Sequence, residues 1–189
     1  MARNRLKSAV AGCLVAAALG GALAGCSKTE EPGVDEPARE GLTIDVAGLE
    51  YTVFITRELN LEITPDKAFY SGPPAKKDNA LFGVFLTVCN PDDAAGPLPA
   101  TEDFVVEDNQ GNEFEPVELP EDNAWGYHTR ELAPGDCIPE DGSVAEQGPT
   151  AASMLLFEFP LTSTENRPLD LTITPPPGGG EPKEVELDL

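Results

Sequence analysis

From Leu42 onward the chain alternates apolar and polar residues with a period of two, the pattern of half-buried strands. Leu42, Ile44 and Val46 alternate with Thr43 and Asp45. After Gly48, the run Tyr51-Thr52-Val53-Phe54-Ile55-Thr56 is dense in β-branched and aromatic residues, which favour strands. Leu59, Leu61 and Ile63 alternate again before Pro65 and predict a further strand. Residues 81–89 predict the best-defined one. There Phe82, Val84, Leu86 and Val88 form a uniformly apolar face destined for a core. Leu81, Gly83, Phe85, Thr87 and Cys89 form a mixed face, expected to be partly wet. Strands are also predicted at 104–107, from Phe114 to Val117, and at 154–160, 169–173 and 185–189, the last two as a closing hairpin. Asn90-Pro91-Asp92-Asp93 and Asp108-Asn109-Gln110-Gly111-Asn112 are turns by composition. No stretch sustains a helical apolar period, and 19 prolines oppose long helices by removing donors and crowding the preceding turn. Short strands between Gly/Pro turns predict one all-β domain, a sandwich or barrel, over residues 42–189.

The residues ahead of that domain change the picture. Arg3, Arg5 and Lys7 precede a small-residue apolar run, which ends at Leu23-Ala24-Gly25-Cys26. A basic start, an apolar middle and small residues before a cut are the parts of a secretory signal. The run is about 16 residues, short of the roughly 20 a spanning helix needs. Leu23 to Cys26 resembles the lipobox of bacterial lipoproteins. That resemblance implies a signal peptide over 1–25, a lipid on the Cys26 thiol, and a chain held at the extracytoplasmic face of the cell membrane. Residues 26–41 then carry the lipidated Cys and an acidic, Pro-bearing stretch with almost nothing to bury, expected to be a flexible tether.

The protein carries a formal charge of −22, with 34 acids against 12 lysines and arginines. Removing Arg3, Arg5 and Lys7 with the signal moves this to −25. Such a chain lacks the basic patch that nucleic acid needs. Of four cysteines, Cys13 leaves with the signal and Cys26 takes the lipid. Cys89 and Cys137 remain, and in an oxidising compartment they are expected to pair. The bridge would close a loop of about 49 residues, worth roughly 4 kcal/mol in the chain-entropy model.

The order of motifs also resembles a family. Cys89-Asn90 ends a strand, a loose Phe-x-Val-x-Asp-x-x-Gly-x-x-Phe pattern runs from Phe104 to Phe114, and Leu132-Ala133-Pro134-Gly135 follows. Leu155 to Pro160 then reads Leu-x-Phe-Glu-Phe-Pro, ahead of a strand from Leu169 to Ile173. This is similar to the immunoglobulin-like domain of actinobacterial-type lipoproteins related to secreted immunogenic antigens, a domain of unknown function. The resemblance implies an immunoglobulin-like antiparallel β-sandwich and an accessory role outside the cytoplasm. It implies no reaction and no cofactor.

Candidate chemistry is sparse. Trp125, Tyr127 and His128 share an irregular stretch and are candidates for a binding loop, since rigid amphipathic rings give contact area at low entropy cost. The competing reading folds the rings back over the core. His128 is the single imidazole, so any Ser-His-Asp or Cys-His arrangement would have to use it. The acid pairs Asp92-Asp93, Glu102-Asp103, Glu121-Asp122 and Glu140-Asp141 match no spaced calcium loop, and no metal site is expected. The sequence therefore favours a non-enzymatic binding or protein-interaction module, held to the membrane at Cys26. A protein of the envelope is its candidate partner. Charge and proline on edge strands favour a monomer. A weak Ca²⁺-binding surface, or a hydrolase using loop carboxylates or His128, stays open as an alternative.

Overall fold

The computed structural model describes residues 32–34 and 36–189. The signal peptide expected over 1–25 and the lipidation site Cys26 lie outside the described residues. In chain order the elements are β1 (Ala38–Arg39), β2 (Thr43–Val46), β3 (Leu49–Glu58), a one-turn helix α1 (Asp66–Phe69), β4 (Asn79–Cys89), β5 (Leu98–Pro99) and β6 (Asp103–Asp108). Then come β7 (Glu113–Phe114), β8 (Glu131–Leu132), β9 (Cys137–Ile138), β10 (Ser153–Pro160), a 3₁₀ turn (Leu161–Glu165), β11 (Leu169–Thr174) and β12 (Lys183–Glu186). One sheet has the order β1-β12-β11-β6-β7, and the second β10-β4-β3-β2, with β9 beside the end of β4. The pairings are antiparallel except for β1 with β12. This is an immunoglobulin-like β-sandwich.

Period-two alternation explains the core. Val106, Leu171, Ile173 and Val185 from the first sheet meet Val46, Tyr51, Phe82, Leu86 and Phe157 from the second, all buried. Removing each such side chain from water is worth roughly 1.5–3 kcal/mol. Phe82 and Phe159 stack with ring centroids 4.1 Å apart. Two tyrosines tie the sheets at one point. The Thr101 amide donates to Tyr51 Oη at 3.0 Å, and Tyr127 Oη donates to the Thr101 carbonyl at 2.7 Å. Asn90 is buried at the end of β4, where its amide donates to the Gly96 and Leu132 carbonyls at 3.1 and 2.9 Å.

Three expectations are corrected. The mixed face of β4 is dry over most of its length: Leu81 and Phe85 are 4% and 0% exposed, and only Thr87 and Cys89 stay partly exposed as expected. A second apolar cluster covers it, built from Leu59, Phe69, Tyr70, Met154 and Leu156. The strand expected from Leu59 to Ile63 does not form. That stretch leads into α1, Ile63 is exposed, and the segment lies over the sheet instead of joining it. The anchor is Asp66, a buried carboxylate paired with Arg57 of β3 that also accepts from the Asn60 amide at 2.9 Å. Alternation here reflected contact with a sheet face, not membership of a ladder.

The third correction concerns the part of the expected tether, 26–41, that is described, residues 32–34 and 36–41. The stretch expected to be free is docked from Gly33, whose carbonyl accepts from the Glu184 amide at 2.8 Å. Ala38 sits in the core, and Arg39 donates to Glu186 at 2.9 Å. β12 offers an unpaired edge, and two parallel pairs suffice to dock so small a side chain. Leu42, assigned by alternation to the buried face, is exposed, because the strand starts at Thr43 with only Ile44 and Val46 turned inward.

The β6–β7 turn behaves as its composition predicts, with Gly111 at φ +78. Its carboxylate, Asp108, is buried. Burial pushes its pKa up, but hydrogen bonds from the Asn112 side chain and amide, the Asn166 side chain and the Gln110 amide outweigh that. The carboxyl sits well below the ordinary range. Its stabilisation is therefore present above the unfolded value, about 3.9, and lost as pH falls below it. Asp170 and Glu40 have the opposite sign. Burial first, then Glu184, Glu186 and Glu107 for Asp170 and Asp188 for Glu40, raise both. Asp108→Asn should cost about 2 kcal/mol near neutrality, the worth of hydrogen bonds to a charged group. The gap between variant and parent should begin to narrow below about pH 4 and close only where the folded carboxyl itself takes up a proton, well below the ordinary range. Urea unfolding at stepped pH reads this; a gap independent of pH would remove the charge from the explanation.

Candidate functional site

Cys89 and Cys137 face each other in register across β4 and β9 and form the disulfide. Trp125, Tyr127 and His128 lie on the loop between β7 and β8, and the first two turn inward. Asn123 organises them, a role the sequence reading missed. Its Oδ1 accepts from the Trp125 and Gly126 amides at 2.9 and 3.1 Å, and its Nδ2 donates to the Phe69 carbonyl at 3.1 Å. The signal was present: Asx side chains fold local turns by bonding the backbone two residues on.

The Trp125 ring packs edge-on against Phe69, centroids 4.9 Å apart at 81°. A side chain at Gly148 would collide with that ring, so glycine is needed for the close approach. Tyr127 packs edge-on against Phe104 at 5.1 Å, and burial, reinforced by Tyr51, pushes its hydroxyl pKa up. His128 Nε2 lies 3.2 Å from the Asn123 carbonyl. The rings of Trp125 and Tyr127 thus fold back over the core.

Two hollows flank this loop. It leaves the β10 edge between the bond from the Val117 amide to the Leu156 carbonyl, 2.6 Å, and that from the Tyr127 amide to the Met154 carbonyl, 2.9 Å. The first hollow, about 610 Å³, opens there, with Val117, Leu119 and Tyr127 on its walls, His128 beside them, and Glu102, Glu118 and Glu121 among its lining. The second, about 630 Å³, lies on the Phe69 side. Phe69, Tyr70, Trp125, Pro73 and Pro120 line it, with Glu118 and Asp122. Glu118 is common to both. The acid pairs named above do not converge. Among the described residues, no three His, Cys, Asp or Glu side chains gather in a way that could hold a metal ion.

No family model and no curated protein matches the chain. Solved structures do resemble it. The yjhA protein of Bacillus subtilis is 14% identical, with 80% of this chain and 99% of that one covered at a TM-score of 0.54. A β-sandwich protein of Clostridium difficile is 13% identical over 84% of this chain and 100% of that one, TM-score 0.47. A proposed lipoprotein of Bacillus subtilis, ycdA, is 15% identical over 78% of this chain and 38% of that one, TM-score 0.47. At such identities the likeness concerns the fold alone. It is a fold that this chain shares with the yjhA protein of Bacillus subtilis.

Proposed function

We propose that the protein is a lipid-anchored, non-enzymatic binding module on the extracytoplasmic face of a bacterial membrane, of the kind carried by immunogenic actinobacterial lipoproteins. Cys26 carries the lipid, and an envelope protein is the partner. The observation that carries the reading is the pair of hollows flanking the loop from Pro116 to Gly126, lined by rings and carboxylates on a rigid sandwich. His128 meets a backbone carbonyl, not a hydroxyl or thiol it could activate. The disulfide fits an oxidising compartment. Among the described residues no helix is long and apolar enough to cross a membrane.

Intact mass of the membrane-extracted protein tests the anchor. A diacylglyceryl adduct on Cys26 is expected, with the added hydrogens of one reduced disulfide after treatment with a reductant. The mass of the full precursor would overturn it. Photoreactive phenylalanine placed in cells at Glu121 or Ala124, beside the hollows, should give a discrete adduct that the same group at Glu184 does not. Equal adducts at all three positions, or none, would end the binding reading.

A further inference from the structure

We infer that the hollow beside Trp125 takes an arginine or lysine side chain from a partner peptide; the inference rests on the binding-module reading above. The charged groups there are all acidic, standing beside the hydroxyls of Tyr70 and Ser71 and the Trp125 indole N–H. Glu118 and Asp122 line the hollow as carboxylates, which when ionised only accept. The Asn123 side chain is already committed, donating to the Phe69 carbonyl and accepting from two backbone amides. No Lys, Arg or His stands among the lining residues. The unopposed charge of Glu118 and Asp122 therefore favours a ligand that brings positive charge. The rest of the lining is aromatic and proline surface from Phe69, Tyr70, Trp125, Pro73 and Pro120. Such surface accepts an alkyl stem, and a ring face attracts a cation through its quadrupole. A guanidinium or ammonium on an apolar stem meets both demands. An anion would be repelled by the two carboxylates, and a neutral sugar would bring hydroxyl donors but no charge. The formal charge of −22 adds long-range attraction for a basic partner.

Trp125 is the sole tryptophan of the chain, so its emission reports on this hollow directly. The purified protein is titrated with N-acetyl-arginine amide, with the neutral isostere N-acetyl-citrulline amide, and with a pentapeptide bearing one central arginine. A saturable change is expected with the arginine amide and not with the citrulline amide. The peptide should bind about tenfold tighter than the amide, through added contacts around the rim of the hollow. The Glu118→Gln/Asp122→Asn variant should keep the unliganded emission spectrum and bind the arginine amide about tenfold more weakly. Equal response to citrulline, an unaffected variant, or no saturable change would overturn the inference. Equal affinity for peptide and amide would replace the partner chain by a free small cation. Adducts at Glu121 or Ala124 without any response to arginine would discard the ligand class and leave the binding module standing; absence of both would discard both.

Discussion

Phe69→Ala should lower stability by about 3–5 kcal/mol, the cost of deleting a large buried ring and leaving a cavity. It should also shift Trp125 emission to the red. Phe69 is 1% exposed although it belongs to a one-turn helix in a loop. It packs edge-on against Phe85 of β4 and against Trp125, each at 4.9 Å. Four helical residues have no stability of their own in water, so the segment is held by this ring and by the Asp66–Arg57 pair. Losing the ring frees one side of Trp125, uncovers Phe85 and removes a wall of the second hollow. Urea unfolding followed both by circular dichroism and by Trp125 emission reads the two consequences together. A surface-loop residue would change stability by no more than about 0.5 kcal/mol. A result that small, with an unshifted spectrum, would mean that the outer face of the second sheet is not a core at all.

Why that core escapes sequence reading follows from how it is built. Period-two alternation announces one buried face, and it correctly located β2, β3, β4, β6, β10, β11 and β12. It says nothing about what covers the opposite face. Leu81 and Phe85 looked like the wet side of β4, because the residues that dry them, Phe69, Tyr70 and Met154, come from remote parts of the chain. The same remoteness hid β1. Ala38 has little apolar surface to announce it, and its partner Val185 stands at the opposite end of the domain. Leu59, Leu61 and Ile63 misled for a related reason. Alternation marks contact on one side and does not distinguish a hydrogen-bonded strand from a segment lying across a sheet. One local sign was present in Pro65-Asp66, since proline followed by an acid opens helices. The candidate site was half legible. An aromatic loop was visible as Trp125 and Tyr127, yet its inward turn depends on Asn123 meeting Phe69 across the fold, and Phe69 and Tyr70 complete the hollow from a stretch past Pro65 that the alternation did not reach.

Replacing both Cys89 and Cys137 by serine should cost about 4 kcal/mol, and on a domain of this size lower the melting temperature by roughly 10 °C. The bridge joins residues separated by 48 positions, and the loop between them holds β5 to β8 and the Trp125 stretch. Most of the cost should arise in the unfolded chain, which without the bridge gains the freedom of that loop. In the folded protein, β4 and β9 remain paired at Val88 and Ile138 whether or not the sulfurs are joined. Trp125 takes its contacts from Phe69 and Asn123, not from the bridge. The folded double-serine variant should therefore keep the parent's Trp125 emission. Its urea m-value should rise, because a longer free chain exposes more surface on unfolding. A lowered stability with a shifted emission and an unchanged m-value would place the effect in the native state, and the bridge would then be shaping the loop that carries the hollows. Unchanged stability would show that the unfolded chain keeps this loop nearly closed without it. The two variants thus test different layers: Phe69→Ala disturbs the native outer core and the emission with it, while the cysteine pair acts on the chain the fold must gather.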